Sequence, residues 1–190
     1  MKEPNKSDWH KLCRFIKYLN GTRDKYLTLS IDTIEVMKSF IDASFAVHPD
    51  FRSHTGAEMT MGRGTMIPVS KKQKLNTKSN TEVELVGVYD VSVYVLWTML
   101  FIEEKGYKVE KNIVYQDNKS AMLLEENGRK SAGKCSRVIN IRYFWMTDQI
   151  KKGNVQVQYC PTDLMRGDFY TKPLQGKKFR NFRKQILGED

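Results

Sequence analysis

The sequence contains few of the residues from which metal clusters and disulfide frameworks are built. It has three cysteines and three histidines in 190 residues, and no Cys-x-x-Cys pair or Cys/His cluster is present. Cys13, Cys135 and Cys160 are far apart, so they support neither a zinc site nor a set of disulfides. This cysteine usage favours a reducing, intracellular compartment.

Long apolar runs are also scarce. The opening MKEPNKSDWH contains no apolar signal core. The longest apolar run, VSVYVLWTMLFI at 91–102, is about half as long as the roughly 20 residues that a membrane span needs. We therefore expect a buried helix at this run and no association with a membrane.

Positive charge is in excess. The chain carries 32 Lys and Arg against 22 Asp and Glu, a formal net charge of +10, and 40% of its residues are hydrophobic. That apolar content suits one globular domain with a core rather than a disordered chain. The positive excess favours a polyanionic partner, with nucleic acid ahead of a membrane surface, although a basic protein without such a partner has the same composition.

Periodicity and turn signals predict the secondary structure. Strands are predicted at 36–45, at two segments within 55–73 joined at Gly62-Arg63-Gly64, at 112–116 and at 155–160, with a further short strand at 26–30. Helices are predicted at 8–19, 79–106, 118–128 and 136–153, with helical pieces that break before Pro173 and at Gly176. Adjacent early strands indicate an antiparallel meander, and the later alternation of strands and helices indicates parallel pairing. The predicted fold is α/β, a mixed five-stranded sheet with three antiparallel strands and then two parallel strands, flanked by helices.

The stretch IVYQDNKSAM ends a predicted strand in Asp117-Asn118. A carboxylate at the mouth of a buried strand is costly unless a cation meets it. The acids at comparable structural positions are Asp42, Glu84, Asp117 and Asp168. If they converge, their hard oxygens suit Mg²⁺, and two such ions activate a water and stabilise the leaving oxygen of a phosphodiester. The spacing alone leaves a second reading open, in which Asp117 and Asp168 cap helices and Glu84 is solvated.

Several ordered motifs resemble one family. The segments DASFAVHPDFRSHTGAEMTMGRGTMIPVSKKQKLNTKSNTEVELVGV, IVYQDNKSAMLLEENGRKSAGK, INIRYFWMTDQIKKGNVQVQYCPT and GDFYTKPLQGKKF resemble the ribonuclease H domain of copia-type retrotransposon polyproteins. The resemblance covers about residues 36–188. The opening DWHKLCRFIKYLNGTRDKYLTL resembles the segment that joins the reverse transcriptase to that domain. Together these two resemblances imply a helical connection at 1–32 and a ribonuclease H-like domain at 33–190.

The resemblance implies a metal-dependent endonuclease that hydrolyses the RNA strand of RNA/DNA hybrids during reverse transcription. Asp42, Glu84, Asp117 and Asp168 match the family's catalytic, metal-binding acids, with Glu82 as the runner-up to Glu84. Two Mg²⁺ ions are implied, with Mn²⁺ as the alternative, and Asp42 is expected to bridge them. The reverse transcriptase domain of the same polyprotein is the implied protein partner, in a cytoplasmic virus-like particle or the nucleus.

The chain departs from the family pattern at several positions. It has Cys135 for a basic residue, Val138 for histidine, Asn80 for a serine, Ala57 for a frequent glycine, and Gly167 for the alanine before Asp168. Gly167 is expected to loosen the helix that Asp168 opens. These changes keep two alternatives in view, a catalytically decayed nucleic-acid-binding module and a nuclease of the same fold that cuts DNA, as integrases do.

Basic residues lie in three sequence clusters. They are Lys71, Lys72, Lys74 and Lys78; Lys130, Lys134, Arg137 and Arg142; and Lys172, Lys177, Lys178, Arg180, Arg183 and Lys184. Phosphate contacts are expected from such clusters, and a hybrid is expected to be recognised by its shape and 2′-hydroxyls. The residues predicted to contact the hybrid are Lys71, Lys72, Gln73, Asn80, Thr81, Asn118 and Arg137.

Overall fold

The computed structural model describes residues 3–128 and 145–189. Its strands are β1 (Val36–Ser44), β2 (His54–Thr60), β3 (Ile67–Lys72), β4 (Lys111–Gln116) and β5 (Gln156–Tyr159). Its helices are α1 (Lys6–Asn20), α2 (Asn80–Glu104), α3 (Lys119–Asn127), α4 (described at 145–151), α5 (Asp168–Thr171) and α6 (Gly176–Leu187).

The five strands form one mixed sheet in the order β3-β2-β1-β4-β5. β1 pairs antiparallel with β2, and β2 pairs antiparallel with β3. β4 pairs parallel with both β1 and β5. The predicted α/β fold, with three antiparallel strands and then two parallel strands in one mixed sheet, is therefore confirmed. β1 lies at the centre of the sheet, so a residue near its carboxyl end has a neighbouring strand on each side.

The core lies between the sheet and α2. Met37 and Ile41 of β1 are fully buried, and Val91 and Val95 of α2 are fully buried against that side of the sheet. By length and hydropathy α2 is apolar enough to cross a membrane, but 56% of its most apolar window is buried inside the fold. The prediction of a buried helix is confirmed for this inner face, whereas the absence of membrane association stays a prediction.

The predicted strand at 26–30 is wrong. These residues belong to no strand, and their backbone groups bond to a turn and to a helix end. Thr28 N–H donates to Leu187 O at 2.8 Å, and Ser30 N–H donates to Arg63 O at 3.2 Å. At the turn, Gly64 has a φ of +72°, and a Cβ there would lie 2.4 Å from Thr28 O. Alternation in a short segment indicates an extended chain, and it does not reveal whether the hydrogen-bond partner is a strand.

Candidate metal centre

Three carboxylates meet at one edge of the sheet. Asp42 lies near the carboxyl end of β1, and Asp117 directly follows the parallel neighbour β4. Glu84 lies in the first turns of α2, which packs across this edge. One carboxylate oxygen from each of the three residues lies within 4.8 Å of the other two. We call Asp42, Glu84 and Asp117 the acid triad.

Burial makes this triad electrostatically unfavourable without a cation. Asp42 is 2% exposed and Glu84 is 6% exposed. Burial raises the pKa of Asp42, and the hydrogen bond from Thr171 and the charge of Lys172 oppose part of this rise. Burial, followed by the charges of Asp42 and Asp117, raises the pKa of Glu84 well above its ordinary value. A hard divalent cation suits such a set of oxygen ligands, because its charge removes the repulsion between them.

Asp168 reaches the same region but does not join the triad. Its side chain is 1% exposed. Its Oδ1 contacts Lys172 Nζ, and its Oδ2 accepts a hydrogen bond from Lys178 Nζ at 2.8 Å. Lys172 Nζ also lies 3.4 Å from Asp42 Oδ1. Asp42 and Asp168 are thus connected through an ammonium group.

Sequence reasoning missed the role of these lysines. The sequence places Lys172 and Lys178 in a basic cluster that is expected to contact phosphate, whereas both bind Asp168. The signal was the spacing of Asp168 and Lys172, because residues four apart on a helix lie side by side. Two hydroxyl groups were also missed. Thr171 Oγ1 donates to Asp42 Oδ2, and Thr162 Oγ1 donates to Asp117 Oδ2.

A buried ion pair holds the chain that precedes Asp168. Arg166 Nε lies 2.9 Å from Oε1 of Glu58, a fully buried residue of β2. The other oxygen of Glu58 accepts hydrogen bonds from Thr65 Oγ1 at 2.7 Å and Tyr170 O–H at 3.4 Å. Burial raises the pKa of Glu58, and the charge of Arg166 opposes that rise. Breaking the pair of Arg166 and Glu58 would leave an uncompensated charge in the interior, which is costly. The pair and its hydrogen bonds therefore hold α5 against the sheet.

Gly167 packs tightly instead of loosening the helix start. A Cβ on Gly167 would lie 2.8 Å from Asp42 N and 2.9 Å from Asp42 Cβ. A second glycine, Gly56 of β2, faces Thr171 in the same way, since its Cβ would lie 2.5 Å from Thr171 Cγ2. The expectation of a loosened helix is therefore wrong, because the missing side chain lets α5 approach the backbone of β1 and bring Asp168 close to Asp42.

We expect Gly167→Ala to destabilise the chain by about 1–3 kcal/mol, because an added methyl group would push α5 away from β1. Urea unfolding followed by circular dichroism measures this change. Gly21→Ala is the matched control, since a Cβ at Gly21 makes an ordinary contact of 3.5 Å with Lys17 O. A Gly167→Ala variant as stable as the Gly21→Ala variant would contradict the close packing.

The triad opens into a cavity of about 750 Å³. Asn80 and Asn118, two of the residues predicted to contact a hybrid, line the same cavity. Asn118 also caps α3, because its Oδ1 accepts hydrogen bonds from the N–H groups of Ser120 and Ala121. Thr81 is half-buried in the first turn of α2. Polar groups therefore border the carboxylates on the open side.

Glu82, the runner-up to Glu84, forms hydrogen bonds at the start of α2 instead of joining the acids. Its Oε2 accepts a hydrogen bond from Lys78 N–H at 2.7 Å, and Ser79 caps the same helix start by accepting from Glu82 N–H. These two hydrogen bonds satisfy backbone donors at and just before the beginning of α2. Glu84, rather than Glu82, belongs to the acid triad.

The remaining residues predicted to contact a hybrid are Lys71, Lys72, Gln73 and Arg137. Lys71 Nζ is 3.8 Å from Asp90 Oδ2, and Lys72 Nζ is 2.5 Å from Asp50 Oδ2. Gln73 is fully buried, and its Nε2 donates to Thr55 Oγ1 and to Val83 O. The Gln73 side chain is therefore inaccessible to a hybrid, which corrects the prediction. Arg137 lies outside the described residues.

The chain is similar in sequence to transposon polyproteins. It is 28% identical over 99% of its length to the retrovirus-related Pol polyprotein from transposon TNT 1-94 of Nicotiana tabacum. It is also 28% identical over 98% of its length to the corresponding polyprotein from transposon RE2 of Arabidopsis thaliana. The chain spans 14% and 13% of these relatives. No protein-family model matches the chain. The predicted resemblance to copia-type retrotransposon polyproteins is confirmed.

Solved structures of ribonucleases H are distant neighbours. LC11-RNase H1 in complex with an RNA/DNA hybrid is 16% identical and gives a TM-score of 0.44 over 68% of this chain and 88% of that chain. The N-terminal RNase H domain of Rv2228c from Mycobacterium tuberculosis is 12% identical, with a TM-score of 0.45 over 78% of this chain and 96% of that domain.

Proposed function

We propose that this chain, which is related over nearly its whole length to retrotransposon Pol polyproteins, hydrolyses the RNA strand of RNA/DNA hybrids in a metal-dependent reaction. The observation that supports this proposal is the acid triad, three carboxylates within 4.8 Å of one another at the mouth of a cavity of about 750 Å³. Hydrolysis of the phosphodiester would leave a 5′-phosphate and a 3′-hydroxyl.

The residues of the centre fit hard divalent cations, and Mg²⁺ or Mn²⁺ is proposed. When bound, two such ions lower the pKa of an attacking water and stabilise the departing oxygen. Asp42, Glu84, Asp117 and Asp168 would hold these ions, with Asp42 as a ligand common to both. Hydrogen bonds from Thr171 to Asp42 and from Thr162 to Asp117 orient two of these carboxylates.

The polar rim of the cavity is proposed to hold the hybrid. Asn80 and Asn118 line it beside the triad, and Thr81 follows in the first turn of α2. Amide and hydroxyl groups at these positions suit the sugar and phosphate oxygens of an A-form-like duplex, which is recognised by shape and 2′-hydroxyls. The net charge of +10 supplies attraction to the phosphate backbone that is independent of base sequence.

Residues 1–32 are proposed to connect this domain to a reverse transcriptase domain of the same polyprotein. Within the described residues, α1 buries none of its side chains, and Trp9, Phe15 and Ile16 are exposed on it. An apolar helix face of this kind is typical of a segment that packs against another domain. A cytoplasmic virus-like particle or the nucleus is the proposed location.

A decayed binding module is the second candidate. The observation in its favour is that two ammonium groups already neutralise Asp168, which the catalytic reading needs as a ligand. The departure at Val138, which also favours it, lies outside the described residues. Such a module would bind hybrids with the same basic surface and would cleave nothing.

A cleavage assay on a hybrid with labelled RNA tests the proposal. We expect Mg²⁺-dependent RNA fragments that end in 3′-hydroxyls, none in EDTA, and at least about a hundredfold slower cleavage by Asp117→Asn, because losing one ligand removes part of the metal's charge stabilisation. Hybrid binding without cleavage would instead support the decayed module. Preferential cleavage of duplex DNA, included beside the hybrid, would support a DNA nuclease of the same fold.

A further inference from the structure

Lys172 lies between two of the four acids. Its Nζ contacts Asp168 Oδ1 and is 3.4 Å from Asp42 Oδ1. The side chain is 40% exposed and lines the cavity that contains the acid triad. An ammonium group therefore occupies the position where a cation shared by Asp42 and Asp168 would lie.

The two halves of the centre differ in their counter-charges. In the part of the chain that the structure describes, Glu84 and Asp117 form no ion pair with Lys, Arg or His, whereas Asp168 is paired twice. Among the described residues, Lys172 is thus the cation nearest the triad, and it contacts Asp42 on the side that faces Asp168. A divalent ion arriving from solvent meets two carboxylates without an ion pair, Glu84 and Asp117, and a resident positive charge between Asp42 and Asp168.

We propose that Lys172 is an internal counter-ion that fills the second cation position, so that one divalent ion binds at the triad and a second binds only after Lys172 has moved away. The proposal rests on the proposed metal-dependent function. It makes Lys172 a positioning residue that sets the number of ions bound at a given metal concentration.

The local structure lets the lysine side chain move while its backbone stays in place. Thr171, directly before it, is anchored by the hydrogen bond to Asp42 Oδ2. Lys172 itself ends α5 in an extended conformation and is followed by Pro173, whose ring restricts the backbone. The ammonium group stands on a flexible stem of four carbons, and its exposed side offers a path into the cavity.

Lys178 provides a contrast within the same site. It binds the other oxygen of Asp168, at 2.8 Å, and also donates to Thr162 O at 3.2 Å. Among the carboxylates of the described residues, it pairs with Asp168 and, at 4.0 Å, with the exposed Asp163, but not with Asp42. Removing Lys178 therefore takes one positive charge from Asp168 without vacating the position between Asp42 and Asp168.

Titration with Mn²⁺ alone, followed by electron paramagnetic resonance of the free ion and by calorimetry, tests the proposal on the whole chain. We expect one tight site in the wild type and a second that is weaker. In Lys172→Met the second site should tighten by about tenfold to a hundredfold, the effect of losing one charge-assisted contact. Lys178→Met and the charge-preserving Lys172→Arg should both resemble the wild type. Circular dichroism establishes that each variant is folded.

The outcomes separate this proposal from the one on which it rests. Two equally tight ions in the wild type, an unchanged second site in Lys172→Met, or the same tightening in Lys178→Met would each overturn the role of Lys172. No bound Mn²⁺ in any folded variant would overturn the metal-dependent function as well. Loss of the tight site in Asp117→Asn, with the wild-type pattern otherwise as expected, assigns that site to the triad.

Discussion

Replacing Asp42 with asparagine is expected to reduce hybrid cleavage by about a thousandfold or more, because this carboxylate is the proposed ligand common to both cations and metal stabilisation of the transition state amounts to several kcal/mol.

The same variant should unfold at a higher temperature than the wild type in EDTA at pH 8. Burial raises the pKa of Asp42, so its charged form opposes folding above its ordinary pKa, and the amide carries no such charge.

Metal dependence gives a second readout for this variant. Mg²⁺ should raise the melting temperature of the wild type, because a ligand that binds the folded state stabilises it, and should raise that of Asp42→Asn much less. Asp148→Asn is the control, since Asp148 is half-exposed and pairs with Lys152 on the surface of α4. Wild-type cleavage by Asp42→Asn, or an undiminished response to Mg²⁺, would contradict the proposed centre.

Glu125 is expected to make the chain less stable as the pH rises from about 5 to about 8. This residue of α3 is 1% exposed, and among the described residues neither of its carboxylate oxygens has a hydrogen-bond partner. Burial, followed by the charge of Glu126, raises the pKa of Glu125 from 4.5 to about 8. Between these values the folded chain keeps a proton that the unfolded chain releases, so the stabilisation is complete below 4.5 and is lost as the pH approaches 8.

The Glu125→Gln variant isolates this effect. At about 1.4 kcal/mol per pH unit, the full window corresponds to roughly 3–5 kcal/mol, and the variant should lose that part of the pH dependence. Urea unfolding at pH 5 and pH 8 measures it, and subtraction from the wild type removes the parallel contributions of Asp42, Glu58 and Glu84. Glu126→Gln, a change at the exposed neighbouring residue, should leave most of the dependence in place. Equal pH dependence in the wild type and Glu125→Gln would contradict the prediction.

The elements that position the triad were predictable from local patterns. Neighbouring residues alone reveal the strand runs with acids near their ends and the helix start that contains Glu84. The alternation of helices and strands from α2 onwards predicts parallel strands, and the parallel pairing of β1 with β4 brings the carboxyl ends of both strands to one edge. Resemblance to a family then selected Glu84 over Glu82, a choice that the spacing had not decided.

Errors arose where the direction of a side chain depends on distant packing. The sequence predicts that Gln73 contacts the hybrid, but the hydrogen bonds of its amide to Thr55 and Val83 hold it in the interior. Gly167 was expected to loosen a helix, whereas its missing Cβ lets that helix lie against Asp42. In both cases the deciding atoms belong to residues far away in the sequence.

By itself, the sequence determined the element types, the order that makes a mixed five-stranded sheet, the excess of positive charge and the candidate acids, because periodicity and composition are properties of neighbouring residues. The tertiary structure alone decided that three of those acids meet while the fourth is held by Lys172 and Lys178. Distances between charges depend on how β1, β4, α2 and α5 pack, and a difference of a few ångströms separates a shared cation from an internal ion pair.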